Sequence, residues 1–212
     1  LRLGLDARVN EGDIAEDRFS AFSGALTGRR FSGGRTSDVG AFAELDHAFG
    51  PLVLTGGVRV DRFAISDGFF RDEDAGGLAV EDSAFPDRDG WEATWRAGAR
   101  FAAADALDLR AAAYRGFRLP TLNELYRPFV IFPVTTLANA DLENERLTGF
   151  EAGLDWRPAP GVRLGLTAFD NRLEGAIANV TVGPDLRQRQ NLDAIAARGV
   201  ELDGSARLGT IR

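Results

Sequence analysis

The sequence predicts an all-β chain with the pattern of an antiparallel up-and-down transmembrane β-barrel, about eight strands long. Three observations predict it. Apolar and polar residues alternate with a period of two through most of the chain. Very short connections between these stretches take turns with long ones. Aromatic residues of the apolar set fall at stretch ends beside the short connections.

The stretches follow in order. Leu1, Leu3, Leu5, Ala7 and Val9 alternate with Arg2, Gly4, Asp6, Arg8 and Asn10. Val39, Ala41, Ala43 and Leu45 alternate with polar residues, with Phe42 as the exception. Leu52, Leu54, Gly56, Val58 and Val60 follow, then Trp91, Ala93, Trp95, Ala97, Ala99 and Phe101. The second half repeats the pattern with Leu107, Leu109, Ala111 and Ala113, then Thr148, Phe150, Ala152, Leu154 and Trp156. Val162, Leu164, Leu166 and Ala168 come next, and Val200, Leu202, Gly204, Ala206 and Leu208 close the series. Successive side chains of a strand point to opposite faces, so each stretch has one apolar and one polar face. Each stretch is near the ~9–11 residues with which a tilted strand crosses a bilayer.

Short connections are expected at 49–51, 102–106 and 158–161, and long ones at 11–36, 64–90, 117–146 and 172–192. Tight turns at one end and extended loops at the other are the outer-membrane barrel pattern. A soluble sandwich or solenoid remains open on periodicity alone, although it has no reason to gather its long loops at one end. On the apolar face Phe49, Phe101 and Trp156 all fall beside short turns, as an aromatic girdle at one membrane interface would require. His47 belongs to the same interface.

The polar face would line a lumen. Its residues include Arg59, Arg96, Arg110, Tyr114, Glu151, Asp155, Arg163 and Glu201. Mixed signs predict cross-strand pairs such as Arg110 with Glu151 and Asp155 with Arg163, each contributing ~0.2–1 kcal/mol.

Composition excludes several functions. The absence of cysteine removes thiol catalysis and Cys-ligated metals from consideration, and a single histidine, His47, argues against a His-rich metal site or a Ser–His–Asp triad. Its net charge of −7 argues against nucleic acid as a partner. No catalytic residue, metal ligand set or cofactor is expected, and the protein is read as no enzyme.

One stretch carries more than a pattern. Residues 114–156 contain Gly116-Phe117-Arg118-Leu119-Pro120-Thr121, Glu124-Leu125-Tyr126, Asn139-Ala140-Asp141-Leu142 with Glu145, and Glu151-Ala152-Gly153-Leu154. Pro120 cannot donate to a ladder and ends the strand carrying Tyr114. Thr121 and Glu124 have capping-box spacing for a helical turn over Leu122 to Tyr126. Asn139 and Asp141 suit an Asx-type turn. This stretch, continued by 166–177, 187–192 and 198–204, resembles the barrel of TonB-dependent outer-membrane receptors, whose GFR-x-PT-x-x-ELY segment it matches. Ala140 stands where that family usually has proline.

The resemblance implies a piece of a 22-stranded barrel with a plugged lumen, left as an open curved sheet. It implies the outer membrane of a Gram-negative bacterium, contact with outer-membrane lipid, and coupling to the TonB complex through a plug. Residues 1–212 begin with Leu1 and show nothing like a plug or a terminal aromatic strand. They are therefore expected to be an internal part of the barrel domain, lacking plug, N-terminal strands and C-terminal strands. The implied activity is energy-coupled import of an iron–siderophore complex or a similar scarce solute, with cobalamin as the alternative. A small passive barrel or a soluble β-sandwich binding module is the alternative of another class. Solute contact is assigned to Arg118, Tyr126, Arg127, Arg187 and Arg189 in the external loops. The acidic 64–90 loop, with Asp67, Asp72, Glu73, Asp74, Glu81, Asp82, Asp87 and Asp89, has the oxygen ligands for Ca²⁺ but no EF-hand spacing, and is read as a solvated loop before a Ca²⁺ site.

Overall fold

The computed structural model describes residues 1–207. Leu208 of the last predicted strand, and Thr210 to Arg212, lie outside the described residues. The strands are β1 (Arg2–Phe19), β2 (Leu26–Phe49), β3 (Leu52–Asp74), β4 (Ala79–Ala84), β5 (Arg88–Ala104), β6 (Leu107–Arg118), β7 (Phe129–Ile131), β8 (Val134–Leu137), β9 (Glu145–Ala159), β10 (Val162–Gly183) and β11 (Leu186–Ala206). One helical turn, α1 (Leu122–Tyr126), follows β6. The sheet runs β1-β2-β3-β5-β6-β9-β10-β11-β8-β7, with β4 on the tip of β3. Successive long strands are antiparallel neighbours, and the short β8 lies parallel to β11 only at Leu186–Gln188. Among the described residues β1 does not pair with β11, so the sheet is open.

Among the described residues the strand count is eleven rather than eight. All eight predicted stretches are strands where expected, and β4, β7 and β8 are additions. The larger correction concerns the long loops. Residues 11–36 are mostly β1 and β2, joined by a tight connection at 20–25, and 172–192 is mostly β10 and β11, turning at Pro184-Asp185. β2 alone has 24 residues, roughly 80 Å at strand rise, against a bilayer core of about 30 Å. The strands therefore continue far beyond the apolar belt. There water replaces hydrocarbon on the outer face, so the ladder persists without the strict apolar alternation that lipid imposes. Direct cross-strand ion pairs mark these extensions: Arg29 with Asp17 at 2.9 Å and Arg30 with Asp72 at 3.3 Å.

Burial is inverted relative to a water-soluble protein. Val58 is 60% exposed and Val200 69% exposed, and the same face carries exposed Leu5, Val39, Trp91, Phe150 and Leu202. The opposite face holds Glu44, Asp61, Glu92 and Asp108, all buried, with Asp61 only 1% exposed. A soluble sheet exposing so long an apolar stripe would aggregate, whereas lipid accepts it. The stripe ends at charged residues on the outer rim: Arg62 lies 5.8 Å from the centroid of Trp91 and 3.0 Å from Asp89. At the turn end Phe49, Phe101 and Trp156 are exposed on the apolar face, and His47 packs on Phe49 with ring centroids 4.3 Å apart.

Phe42, the exception to the alternation, has a local cause. It turns to the polar face and lies over Gly4, its partner across the β1–β2 ladder. A Cβ on Gly4 would fall 2.3 Å from the Phe42 ring.

Candidate functional site

The polar face is a wall of guanidinium–carboxylate pairs. Arg59 donates to Asp6 at 2.5 Å and 2.9 Å and to Asp61 at 2.9 Å, joining β1 to β3. Arg96 reaches Glu44, which also meets Arg2. Asp108 accepts from Arg100 at 3.0 Å and Arg157 at 2.7 Å. The predicted pair of Asp155 with Arg163 forms, at 2.7 Å. Arg110 does not pair with Glu151. Register sets Arg110 opposite Gly153 and Glu151 opposite Ala112, so Arg110 turns to Asp155 at 3.4 Å and to Thr167. Glu151 instead accepts from the Tyr114 hydroxyl at 2.8 Å, which also lies 3.1 Å from the Asn171 side chain. Glu201 is exposed, opposite Thr167 on β10.

Over one part of this wall lies the segment between β6 and β9. Its local structure follows the sequence closely. β6 ends at Arg118 before Pro120. Thr121 caps α1, its side chain accepting from the Glu124 backbone while the Glu124 carboxylate accepts from the Thr121 backbone at 2.8 Å. Asp141 donates its backbone N–H to the Asn139 side chain at 3.0 Å, making the Asx turn. Proline's absence at Ala140 leaves this turn intact. Leu125, Tyr126 and Leu142 then pack with Ile65 of β3 into a small apolar core, with Phe63, Phe85, Leu122 and Ile177 around it. Phe85 stacks on Tyr126 at 5.0 Å. Between this segment and the wall is an open cavity of about 1130 Å³, its lining including Asp6, Arg8, Asp13, Arg59, Asp61 and Arg118.

The residues assigned to solute contact divide here. Arg118 is held by Glu145 at 2.5 Å and Glu124 at 2.8 Å, and Arg127 by Glu16 at 2.5 Å. Arg189 is buried against the same segment, donating to the backbone carbonyls of Asn123 and Arg127 at 2.5 and 2.8 Å. Tyr126 is 3% exposed and has no surface to offer in this arrangement. Arg187 is exposed, with no carboxylate in ion-pair distance among the described residues. Four of the five therefore converge on one segment, which they fasten. Glu16, which completes the fastening, was missed because it lies inside a stretch read as a loop. The opposed charges at Asp17, Arg18, Arg29 and Arg30 were the available signal that 11–36 pairs with itself.

Electrostatics of the fastening are sign-consistent. Burial disfavours the Glu124 carboxylate, but the Arg118 guanidinium and the Thr121 bonds outweigh it and hold the group below the usual glutamate range. The hydrogen bond from Arg127 does the same for Glu16, against a smaller burial effect. Burial pulls the Arg189 guanidinium below its ordinary range and pushes the Tyr126 phenol above its own. A carboxylate with a depressed folded-state value stabilises above the ordinary value and loses that contribution as pH falls through the folded one. The segment is therefore expected to loosen as pH drops below about 4.5, the ordinary glutamate value. Pepsin cleavage within 119–137, compared between pH 4.5 and pH 2.5 while the long strands stay intact, checks this.

The acidic 64–90 region is not a loop but the ends of β3, β4 and β5. Its carboxylates are spread along the ladder: Asp72 meets Arg18 and Arg30, and Glu73 meets Arg71 at 2.8 Å. Among the described residues no group of three or more His, Asp or Glu side chains converges as a metal site would.

An open antiparallel sheet with an apolar face to the outside and paired charges within is the wall of an outer-membrane-type transmembrane β-barrel. The TonB dependent receptor-like, beta-barrel family model matches residues 2–211, and the chain belongs to that family. It is 29% identical over 132 residues to the vitamin B12 transporter BtuB of Vibrio vulnificus (strain YJ016), covering 62% of this chain and 20% of that protein. Among solved structures, the ferric yersiniabactin uptake receptor FyuA of Yersinia pestis matches with TM-score 0.73 at 14% identity, covering 98% of this chain and 29% of that one. The hemophore receptor HasR of Serratia marcescens, solved as a double mutant with its hemophore HasA and heme, matches with TM-score 0.65 at 18% identity, covering 95% and 39%. These two likenesses are of fold. The chain thus spans a fifth of the curated relative and well under half of these structures.

Proposed function

We propose that this chain is part of the barrel wall of an energy-coupled importer in the outer membrane of a Gram-negative bacterium. The whole protein takes up an iron–siderophore complex or a comparably scarce solute. The observation that carries this reading is the pairing of a family-matched barrel wall with a solute-sized cavity lined by both carboxylates and guanidinium groups. The wall binds and guides and catalyses nothing. Residues 1–212 form an internal part of the barrel domain. A plug belonging to the rest of the protein contacts the TonB complex, and outer-membrane lipid covers the apolar belt. Arg187, which is exposed, and Arg118, which lines the cavity, face the solute in the docked arrangement, while Tyr126, Arg127 and Arg189 hold the segment above it. A corrinoid is the second reading, favoured by the match to a vitamin B12 transporter.

The test is equilibrium binding of ferric siderophores, a catecholate and a hydroxamate, and of cyanocobalamin to the full-length protein in detergent. Saturable siderophore binding, with uptake abolished in cells lacking TonB, is the expected result. Binding of cyanocobalamin alone selects the corrinoid reading, and TonB-independent uptake overturns the energy-coupled one.

A further inference from the structure

The segment 119–137 crosses the inner wall instead of following it. A helix of five residues has no stability of its own, so its place is set by what fastens it. In the middle, Tyr126 fills a notch left by two glycines: a Cβ on Gly68 would lie 2.4 Å from Tyr126 Cζ, and one on Gly34 3.0 Å from the same ring. On one flank Arg127 donates to Glu16 of β1 at 3.1 and 2.5 Å. On the other, Arg189 of β11 donates to the carbonyls of Asn123 and Arg127 and lies 5.1 Å from the Phe129 ring centroid. β1 and β11 are opposite ends of the run of long strands. The segment is a strap across the arc.

Arg189 is the telling residue. It is 9% exposed, yet among the described residues no carboxylate pairs with it. A buried cation is tolerated when its donors are satisfied, and here the strap's own carbonyls and an aromatic face satisfy them. The strap gains hold from Arg189, and Arg189 is covered only while the strap is down. Arg127 is likewise committed to Glu16 by the same docking.

We propose that the strap is a releasable cover. Docked, it occupies the guanidinium groups of Arg127 and Arg189. Lifted, it exposes both at the external mouth, where an anionic solute can meet them. The anion competes with Glu16 for Arg127 and with the strap's carbonyls for Arg189, and a ligand preferring the lifted state shifts the balance by its difference in affinity for the two. The identity of the anion as transported solute rests on the transport reading above; the docking and release do not.

The full-length protein in detergent is treated with phenylglyoxal, which modifies accessible guanidinium groups, and modification is read by peptide mass spectrometry alongside amide hydrogen exchange. Arg187, exposed two residues earlier on the same strand, is the internal reference. In the unaltered protein Arg189 is expected to react at least tenfold more slowly than Arg187. Gly68→Ala wedges Tyr126 out of its notch, and Tyr126→Ala removes the ring without touching a strand. In either, Arg189 modification is expected to accelerate at least fivefold and exchange in 122–131 to rise, with β2 and β3 unchanged. Equal reactivity of Arg189 and Arg187 in the unaltered protein overturns the proposal. So does slow Arg189 modification in a variant whose strap exchanges freely. The reagent needs no solute, so a failure of siderophore and corrinoid binding would sink the transport reading and leave this one standing.

Discussion

Val58→Arg is expected to destabilise the folded barrel in lipid by ~2–4 kcal/mol, the cost of a cation on the lipid face near the bilayer midplane. Val58 is 60% exposed and central in its strand's apolar run, between Leu52 at the turn end and Arg62 at the outer rim. In water such a residue would be a tolerant surface site. In a membrane its exposure is to hydrocarbon, where an unpaired guanidinium loses its hydration. Equilibrium unfolding in urea of the full-length protein in lipid vesicles measures it. Glu201→Arg, on the exposed part of the opposite face, is the control and is expected to change stability by no more than about 0.5 kcal/mol. Similar effects at both sites would contradict the assignment of faces.

Leu142→Ala carries the second large effect, and its reach is local. Leu142 is 0% exposed, packed with Ile65, Leu125 and Tyr126 beneath the strap. Removing a buried leucine side chain costs ~2–5 kcal/mol, part transfer and part residual cavity. The wall strands are held by their own ladders, so the loss falls on the strap. Amide exchange is expected to accelerate across 122–142 by the factor that this free energy implies, while β3, β5 and β6 keep their protection. Uniform acceleration through the wall would mean that the small core supports the barrel itself.

How much was legible depends on where a residue stands relative to the membrane. Within the belt each strand has one face in hydrocarbon and one in a polar lumen, and that contrast writes itself into the sequence as alternation. The eight stretches, the short turns and the positions of Phe49, Phe101 and Trp156 were all readable for that reason. The one-turn helix and its capping box were readable because their partners lie within three residues. Beyond the rim, β1 and β2 continue with polar residues in both registers and Gly175 interrupts the run of β10, so the unbroken period that reveals a strand is lost. Those lengths looked like loops.

The pairing of Arg110 was misread for a related reason. Alternation fixes which face a residue occupies but not which residue stands opposite, and a shift of two positions keeps every side chain on its own face. Register placed Gly153 before Arg110 and let Asp155 take the guanidinium.

By itself the sequence determined the membrane-facing and polar faces, the up-and-down order of the strands and the local form of the segment after β6. These follow from period, turn chemistry and contacts between near neighbours. Only the tertiary structure decided that this segment lies across the wall, that Tyr126 sits between Gly34 and Gly68, and that Arg127 and Arg189 are spent on fastening it. Those contacts join residues up to 111 positions apart. No local pattern encodes such a partner; the curvature and register of the whole sheet bring it within reach.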